Sequence, residues 1–511
     1  MKSPQKVRLW EADMIRNTLL AILGAIILLV GVVVVRTLSY GGTSASVEQV
    51  SLPEVPAFDA NIAAQRLGEA IRFRTITVAA GDPRPGLEGP WLDMQAWMEA
   101  TYPEFHASAS KETIPGGYSL LYTWAGSDPS LSPILLMAHQ DVVPVNIGTE
   151  GDWEAPPFSG AIQNGYIYGR GAIDDKGSMV ALFEALNALA KDGFQPRRTI
   201  LLMLGHDEEV SGSGAGAGIE LLRSRNIVPD MVLDEGFMAI ENNPLTGETL
   251  AFIGVAEKGY LTVEITASAE GGHSSTPPRD SATIQLARTL IALEENQMQA
   301  DLSNEPVSTL LESAASDMPF IQRMAFANPW LLGFAIEDAA EKSAPFNAMI
   351  RTTTAPTMLV GSAKENVLAQ RATAIVNFRI HPNDTEEDVI AHIEHVTRNI
   401  EGLTVKAGTS GIRGAGASPV SPIDNRAYAI LHAVAKDATD GASVAPGLVL
   451  GATDSRYANA ITENVYRFMP ALMSLEELSG FHGTNERISV ENMGRMARGY
   501  AQIILAMDAP E

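Results

Sequence analysis

The chain has 511 residues, 46% hydrophobic and 19% charged, with a formal net charge of −25 and no cysteine. This length holds two or three cores, the composition excludes disorder as a default, and the acidity argues against a nucleic-acid partner. Without cysteine there is no disulfide, thiolate nucleophile or thiolate metal site, so any metal is held by nitrogen and oxygen.

Thr18 to Val35 is an apolar run without charge, long enough to span a bilayer. Lys2, Lys6, Arg8 and Arg16 precede it, against Glu11 and Asp13, and Arg36 follows. This bias places the N-terminus on the cytoplasmic side and the large domain on the extracytoplasmic side: periplasmic, extracellular or lumenal. A cleaved secretory signal is the alternative, with small residues at Thr43-Ser44-Ala45. The run exceeds a typical signal core, which favours an uncleaved anchor. Residues 1–40 therefore read as tail and transmembrane anchor, and residues 41–56 as a linker.

Residues 57–256 alternate strands and helices. Ile134–Met137 and Ile200–Leu204 suit buried parallel strands, and Val180, Phe183, Leu186 and Leu189 recur at helical spacing between them. The rhythm is that of an α/β sheet. From residue 257 the texture changes. Leu261, Val263 and Ile265 alternate with Thr262, Glu264 and Thr266, a helix follows over Ala282–Glu294, and a strand pair with a helix lies around Ala372–Ile400. Residues 257–411 read as an inserted, smaller α+β domain, within which Met298–Ala355 takes no assignment. Residues 412–511 resume the first domain and end in a helix carrying Met493, Met496, Ala497, Tyr500 and Ile504.

Chemistry collects at the ends of the apolar runs. The first delivers His139 and Asp141; Asp174-Asp175 follows in a glycine-rich turn; the second delivers Asp207-Glu208-Glu209; His482 lies near the C-terminus. Taken singly, such a histidine is usually a hydrogen-bonded rim residue, and such acids are usually solvated surface. Together they sit where the carboxyl ends of α/β strands converge on one crevice. Acids gathered there repel unless a cation neutralises them. Asp141 can reach behind His139 and orient its ring. In Glu208-Glu209, neighbours pointing in different directions can divide metal binding from proton transfer.

The strings Met137-Ala138-His139-Gln140-Asp141-Val142-Val143-Pro144-Val145, Trp153 to Phe158, Gly169 to Gly177 and Gly205-His206-Asp207-Glu208-Glu209 resemble the metallopeptidase family of aminoacylase, carboxypeptidase S and glutamate carboxypeptidase. Gly272-His273-Ser274-Ser275, Asn366-Val367-Leu368, Thr453-Asp454-Ser455-Arg456 and Phe481-His482-Gly483 follow in the family's order, so the resemblance covers nearly everything after the linker. It is strongest to the carboxypeptidase S and N-fatty-acyl-amino-acid hydrolase/synthase branch. One departure is Ala369, where the family usually has proline.

The resemblance implies a di-zinc exopeptidase-like α/β domain with an inserted ferredoxin-like lid or dimerisation domain. Asp174 would bridge two Zn2+ ions, one completed by His139 and an acid of Leu233-Asp234-Glu235-Gly236, the other by Glu209 and His482. Glu235 is preferred in that tetrapeptide, with Asp234 open. Asp141 would orient His139, Glu208 would act as general base and later acid, and the doublet Asp174-Asp175 would hold a cis peptide. His273 would serve the oxyanion, from this chain or a partner subunit. Arg456, Arg379 and Asn366 are candidate substrate contacts, although either arginine could equally be a structural ion pair. The apolar Met324–Phe334 stretch could line an acyl pocket or simply be core. The function implied is hydrolysis of an amide or peptide bond beside a free amino-acid carboxylate. Three variants compete: a carboxypeptidase, an N-fatty-acyl amino acid hydrolase or synthase tethered to the membrane that supplies its substrate, and a catalytically silent binding protein. Retention of the whole set of ligand-type residues weighs against the last.

Overall fold

Apolar runs too short for helices and too continuous for a half-exposed sheet form the centre of the fold. The computed structural model describes residues 4–41, 47–210, 212–408 and 416–510, with side chains from residue 14. The Thr43-Ser44-Ala45 peptidase alternative and the boundary between residues 411 and 412 lie outside the described residues, as do the charged side chains before residue 14. Ile134–His139 and Ile200–Gly205 are buried along their whole length and pair in parallel, His139 opposite Gly205. The eight-stranded sheet runs Ser110–Thr113, Leu120–Trp124, Ile200–Gly205, Ile134–His139, Met231–Ile240, Val465–Met473, Leu250–Glu257, Ser443–Val449. Its inner four strands are parallel.

The period of two along these strands divides the core. Leu136, Leu202 and Leu204 face helices Ala60–Ile71, Lys176–Lys191, Arg426–Ala438 and Val490–Asp508; Leu135, Met137, Leu201 and Met203 face helix Ser213–Ser224. Both faces are covered, which is why the inner strands carry no alternating polar residues. Gly205 has a steric reason. A Cβ there would run into an Asp454 carboxylate oxygen, so the strand end leaves that buried carboxylate its room by being glycine.

A second core surrounds a four-stranded antiparallel sheet, ordered Thr353–Val360, Arg371–Ile380, Gly259–Ser268, Leu403–Ala407. Helices Ala282–Glu295 and Glu386–Thr397 complete a β-α-β-β-α-β, ferredoxin-like arrangement. Leu261, Val263 and Ile265 are buried in it, whereas Glu264 and Thr266 on the other side are partly exposed. The stretch Met298–Ala355 contains four short helices: Val307–Ala314, Phe320–Ala327, Pro329–Glu341 and Ala344–Ile350. Val307, Leu310, Leu311 and Ala314 pack on Leu250, Phe252 and Ala445 of the large sheet, so these helices share a core with that sheet's edge. Met324–Phe334 is not a plain core: Ala327 is buried, but Trp330 and Phe334 are exposed. The N-terminal helix Pro4–Ser39 is exposed over most of its apolar length, and its C-terminal turns touch helix Phe320–Ala327.

Candidate metal centre

His139 ends the central strand with its ring almost fully buried. Its Nδ1 lies 3.3 Å from Asp141 Oδ1 and 3.1 Å from the Asp141 carbonyl oxygen. The Asp141 carboxylate also accepts the Thr77 hydroxyl at 2.7 Å and the backbone N–H groups of Glu208 at 3.1 Å and Glu209 at 3.2 Å. One buried carboxylate thus ties the histidine at the end of one strand to the acidic turn after its neighbour.

The opposite wall is the loop Gly169–Asp174. Glu486, completely buried, accepts N–H bonds from Ile173 at 2.8 Å, Gly171 at 3.1 Å and Asp174 at 3.2 Å, and pairs with Arg170 Nη1 at 2.6 Å. Arg170 Nη2 also donates to the Gly483 carbonyl at 2.9 Å. Glu486 and Arg170 therefore clamp the loop bearing Asp174 to the segment bearing His482. The Asp174–Asp175 peptide is cis, and Asp175 Oδ2 accepts the His139 N–H at 3.2 Å. The only local sequence signal of Glu486 is that of an acid four residues after His482.

Two donor groups share Asp174. Its Oδ1 lies 2.8 Å from His139 Nε2, which is 3.4 Å from Glu235 Oε1; its Oδ2 lies 2.7 Å from His482 Nε2, which is 3.1 Å from Glu209 Oε2. Each trio, His139–Asp174–Glu235 and Asp174–Glu209–His482, could hold a metal ion. Asp234 is in neither: its carboxylate accepts the N–H groups of Glu235 at 3.0 Å and Ser455 at 2.8 Å.

Electrostatics show how crowded the acids are. Burial and then Asp174 push Glu235 up to about 8 and Glu209 up to about 7. Hydrogen bonds to Asp174 and Glu209 raise His482 to about 10. Burial works against a charged His139, but its bonds to Asp141, Asp174 and Glu235 hold it well above the usual imidazole range. Burial raises Asp174, and the two histidines more than reverse that shift. The carboxylates thus borrow positive charge from the imidazoles. Divalent cations would supply it more fully, and a set of imidazole nitrogens and carboxylate oxygens without sulfur suits zinc.

Glu208 stands beside the donors. Burial pushes its carboxyl well above the usual range, and Asp454, Glu235 and Glu209 add to the shift. Asp454, at the start of the 3-10 helix Asp454–Ala460, is buried, and among the described residues both its carboxylate oxygens lack hydrogen-bond partners. From sequence it stands only within the string Thr453-Asp454-Ser455-Arg456, without a role. Arg456 donates to the Tyr457 hydroxyl at 3.2 Å and feels Glu208; Arg379 lies over Tyr260 and is depressed by burial, with a further contribution from Arg456. The two arginines therefore share one neighbourhood. His273 sits exposed on a small two-stranded antiparallel sheet, opposite Val367, bonded to Ser275, and the Asn366 carbonyl accepts the Ser274 N–H beside it. His273 and Asn366 are brought to each other, and neither belongs to the two donor groups.

The sequence profile described as peptidase family M20/M25/M40 matches residues 135–506. The chain is 37% identical over 417 residues to N-fatty-acyl-amino acid synthase/hydrolase PM20D1 of Xenopus tropicalis, covering 81% of this chain and 80% of that protein. It is 32% identical over 498 residues to probable carboxypeptidase S-like 2 of Dictyostelium discoideum, covering 96% and 93% respectively. The fold is similar to that of the M20 family metallo-carboxypeptidase Sso-CP2 from Sulfolobus solfataricus, with a TM-score of 0.61 over 87% of this chain and 99% of that one. At 17% identity, that likeness speaks to fold alone.

Proposed function

Because this chain belongs to peptidase family M20/M25/M40 and is a metal-dependent hydrolase of amide bonds, we propose that it uses two zinc ions to cleave the bond between an acyl or peptidyl carbonyl and an amino acid bearing a free carboxylate. His139 and Glu235 would hold one ion and Glu209 and His482 the other, with Asp174 offering an oxygen to each trio. The observation that carries this reading is the division of Asp174, one oxygen at each histidine. Bound zinc lowers the pKa of water towards ~7 and polarises the carbonyl. Glu208 takes the proton from the attacking water and returns it to the leaving amine nitrogen. Burial raises its proton affinity, and it stands outside both donor groups, free to move a proton. Asp141 holds the His139 ring and the Glu208 backbone in one frame.

Arg456, which feels Glu208, and Arg379, which feels Arg456, receive the substrate carboxylate, whose charge the two guanidinium groups match. The ferredoxin-like part of the inserted region acts as the lid, and His273 and Asn366 approach the substrate from it. The exposed edge strand Thr353–Val360, with Met358, Leu359 and Val360 outward, suits a homodimer in which His273 serves the partner's cleft. Residues 1–40 remain as an anchor, with the catalytic domain extracytoplasmic. The packing of Thr37 and Tyr40 into the body supports retention of that helix.

A second reading, hydrolysis or condensation of N-fatty-acyl amino acids, is favoured by that apolar helix and by the PM20D1 relative. Metal analysis of the purified full chain is expected to give two zinc ions, and Glu208→Gln to keep them while losing amide hydrolysis. A folded protein without zinc, or a fully active Glu208→Gln, would defeat the proposal. Matched panels of dipeptides and N-acyl amino acids then choose between substrate classes.

A further inference from the structure

The N-terminal helix ends inside the fold. Thr37 is fully buried and Val33 is 9% exposed. The Asn328 side-chain amide donates to the Val33 carbonyl at 3.5 Å and to Thr37 Oγ1 at 3.3 Å, and Arg36 Nε donates to the Ala327 carbonyl at 3.1 Å. Arg323 donates to the carbonyls of Leu38 at 3.2 Å and Tyr40 at 2.6 Å. A helix leaves its last carbonyls without partners, and a guanidinium there supplies donors and positive charge at the negative end of the dipole. Tyr40 then enters the core formed by Val307, Leu310 and Leu311.

These contacts set a height. At about 1.5 Å per residue, the uncharged run Thr18–Val35 spans about 27 Å, close to the ~30 Å thickness of bilayer hydrocarbon. Val33 lies inside that run and Thr37 just beyond it. Asn328 touches both, so it sits where hydrocarbon gives way to headgroups. Asn328 is also the joint between helices Phe320–Ala327 and Pro329–Glu341. On these helices Phe320, Ile321, Trp330, Leu331 and Phe334 are exposed, Ile321 by 75% and Phe334 by 74%. Met324 to Ile336 contains no charged residue, and the exposed acids Glu337, Asp338 and Glu341 begin immediately after it. Tryptophan and phenylalanine at this depth are what the membrane interface favours.

Resting on the anchor reading above, we infer that the hairpin Phe320–Glu341 is an interfacial membrane element. Its exposed apolar side chains enter the acyl-chain boundary of the leaflet facing the catalytic domain, while Glu337, Asp338 and Glu341 stay in water. The domain is then seated on the bilayer at a fixed height and does not swing from a stalk.

The chain has no cysteine, so a single introduced thiol is a unique label site. Full chains carrying Phe334→Cys, Trp330→Cys, Leu28→Cys or Ile147→Cys are labelled with an environment-sensitive fluorophore in phosphatidylcholine/phosphatidylglycerol nanodiscs, with and without doxyl-labelled lipid. Leu28 reports the anchor, and Ile147, 99% exposed, reports water. Doxyl lipid is expected to quench the labels at positions 28, 330 and 334 and to spare 147. Quenching at 28 with none at 330 and 334 overturns the hairpin inference and leaves the anchor standing. No quenching at 28 overturns the anchor reading, and the height argument with it.

Discussion

Asp174 and His482, 308 positions apart in the chain, meet with 2.7 Å between Oδ2 and Nε2. The other Asp174 oxygen lies 2.8 Å from His139. A single carboxylate therefore joins the central strand of the sheet to a loop near the C-terminus, and buried groups outside the donor set hold those two pieces together.

Glu486 is the chief of these. Glu486→Ala leaves Arg170 buried without its partner and frees the N–H groups of Gly171, Ile173 and Asp174. Loss of one member of a buried pair costs about 3–5 kcal/mol. Urea unfolding of the metal-loaded protein should show a loss of that size. A change below about 1 kcal/mol would mean the loop is held by other contacts.

Asp141 acts through His139. Asp141→Asn keeps the shape but removes the charge facing Nδ1, and is expected to weaken zinc binding about 10–100-fold. Competition with a zinc chelator measures this independently of turnover. Unchanged affinity would remove Asp141 from the positioning role.

Arg456 is expected to recognise the substrate carboxylate. A hydrogen bond to a charged group contributes about 1.5–3 kcal/mol, so Arg456→Ala should lower kcat/KM about 10–100-fold for substrates with a free carboxylate. Amidated analogues should lose much less. Equal losses on both would assign Arg456 to structure.

Lys258, at the junction with the smaller domain, is buried and donates to the carbonyls of Ala348 and Arg351 at 2.8 Å each. Burial, then repulsion from Arg379, pulls it from its ordinary 10.5 down to about 7. Between those values the unfolded chain binds the extra proton, so stability rises with pH across that window, by up to about 1.4 kcal/mol per pH unit. Below about pH 7 both states are protonated and the slope vanishes. Denaturant melts at pH 7.5 and 9 should show a shallower pH dependence for Lys258→Met than for the unaltered chain. Parallel slopes would show that Lys258 keeps its proton in the fold.

Ile134–His139 and Ile200–Gly205 are legible because strand burial on both faces is written locally, as continuous apolar residues. The ligand-type residues are legible because chemistry selects histidine and carboxylate at strand ends, and because the quoted strings follow a family order. Glu486 and Asp454 are not legible as buried groups. An acid in a loop reads as solvated until a distant Arg170, or a glycine such as Gly205, is folded against it. Phe320–Glu341 shows the same limit: its short helices give a weak period, and the helix end they grip lies at the other end of the chain. Periodicity is a property of neighbours along the chain. The meeting of Asp174 with His482, or of Asn328 with Thr37, requires long loops to close, and only the packing of the whole core offsets that entropy.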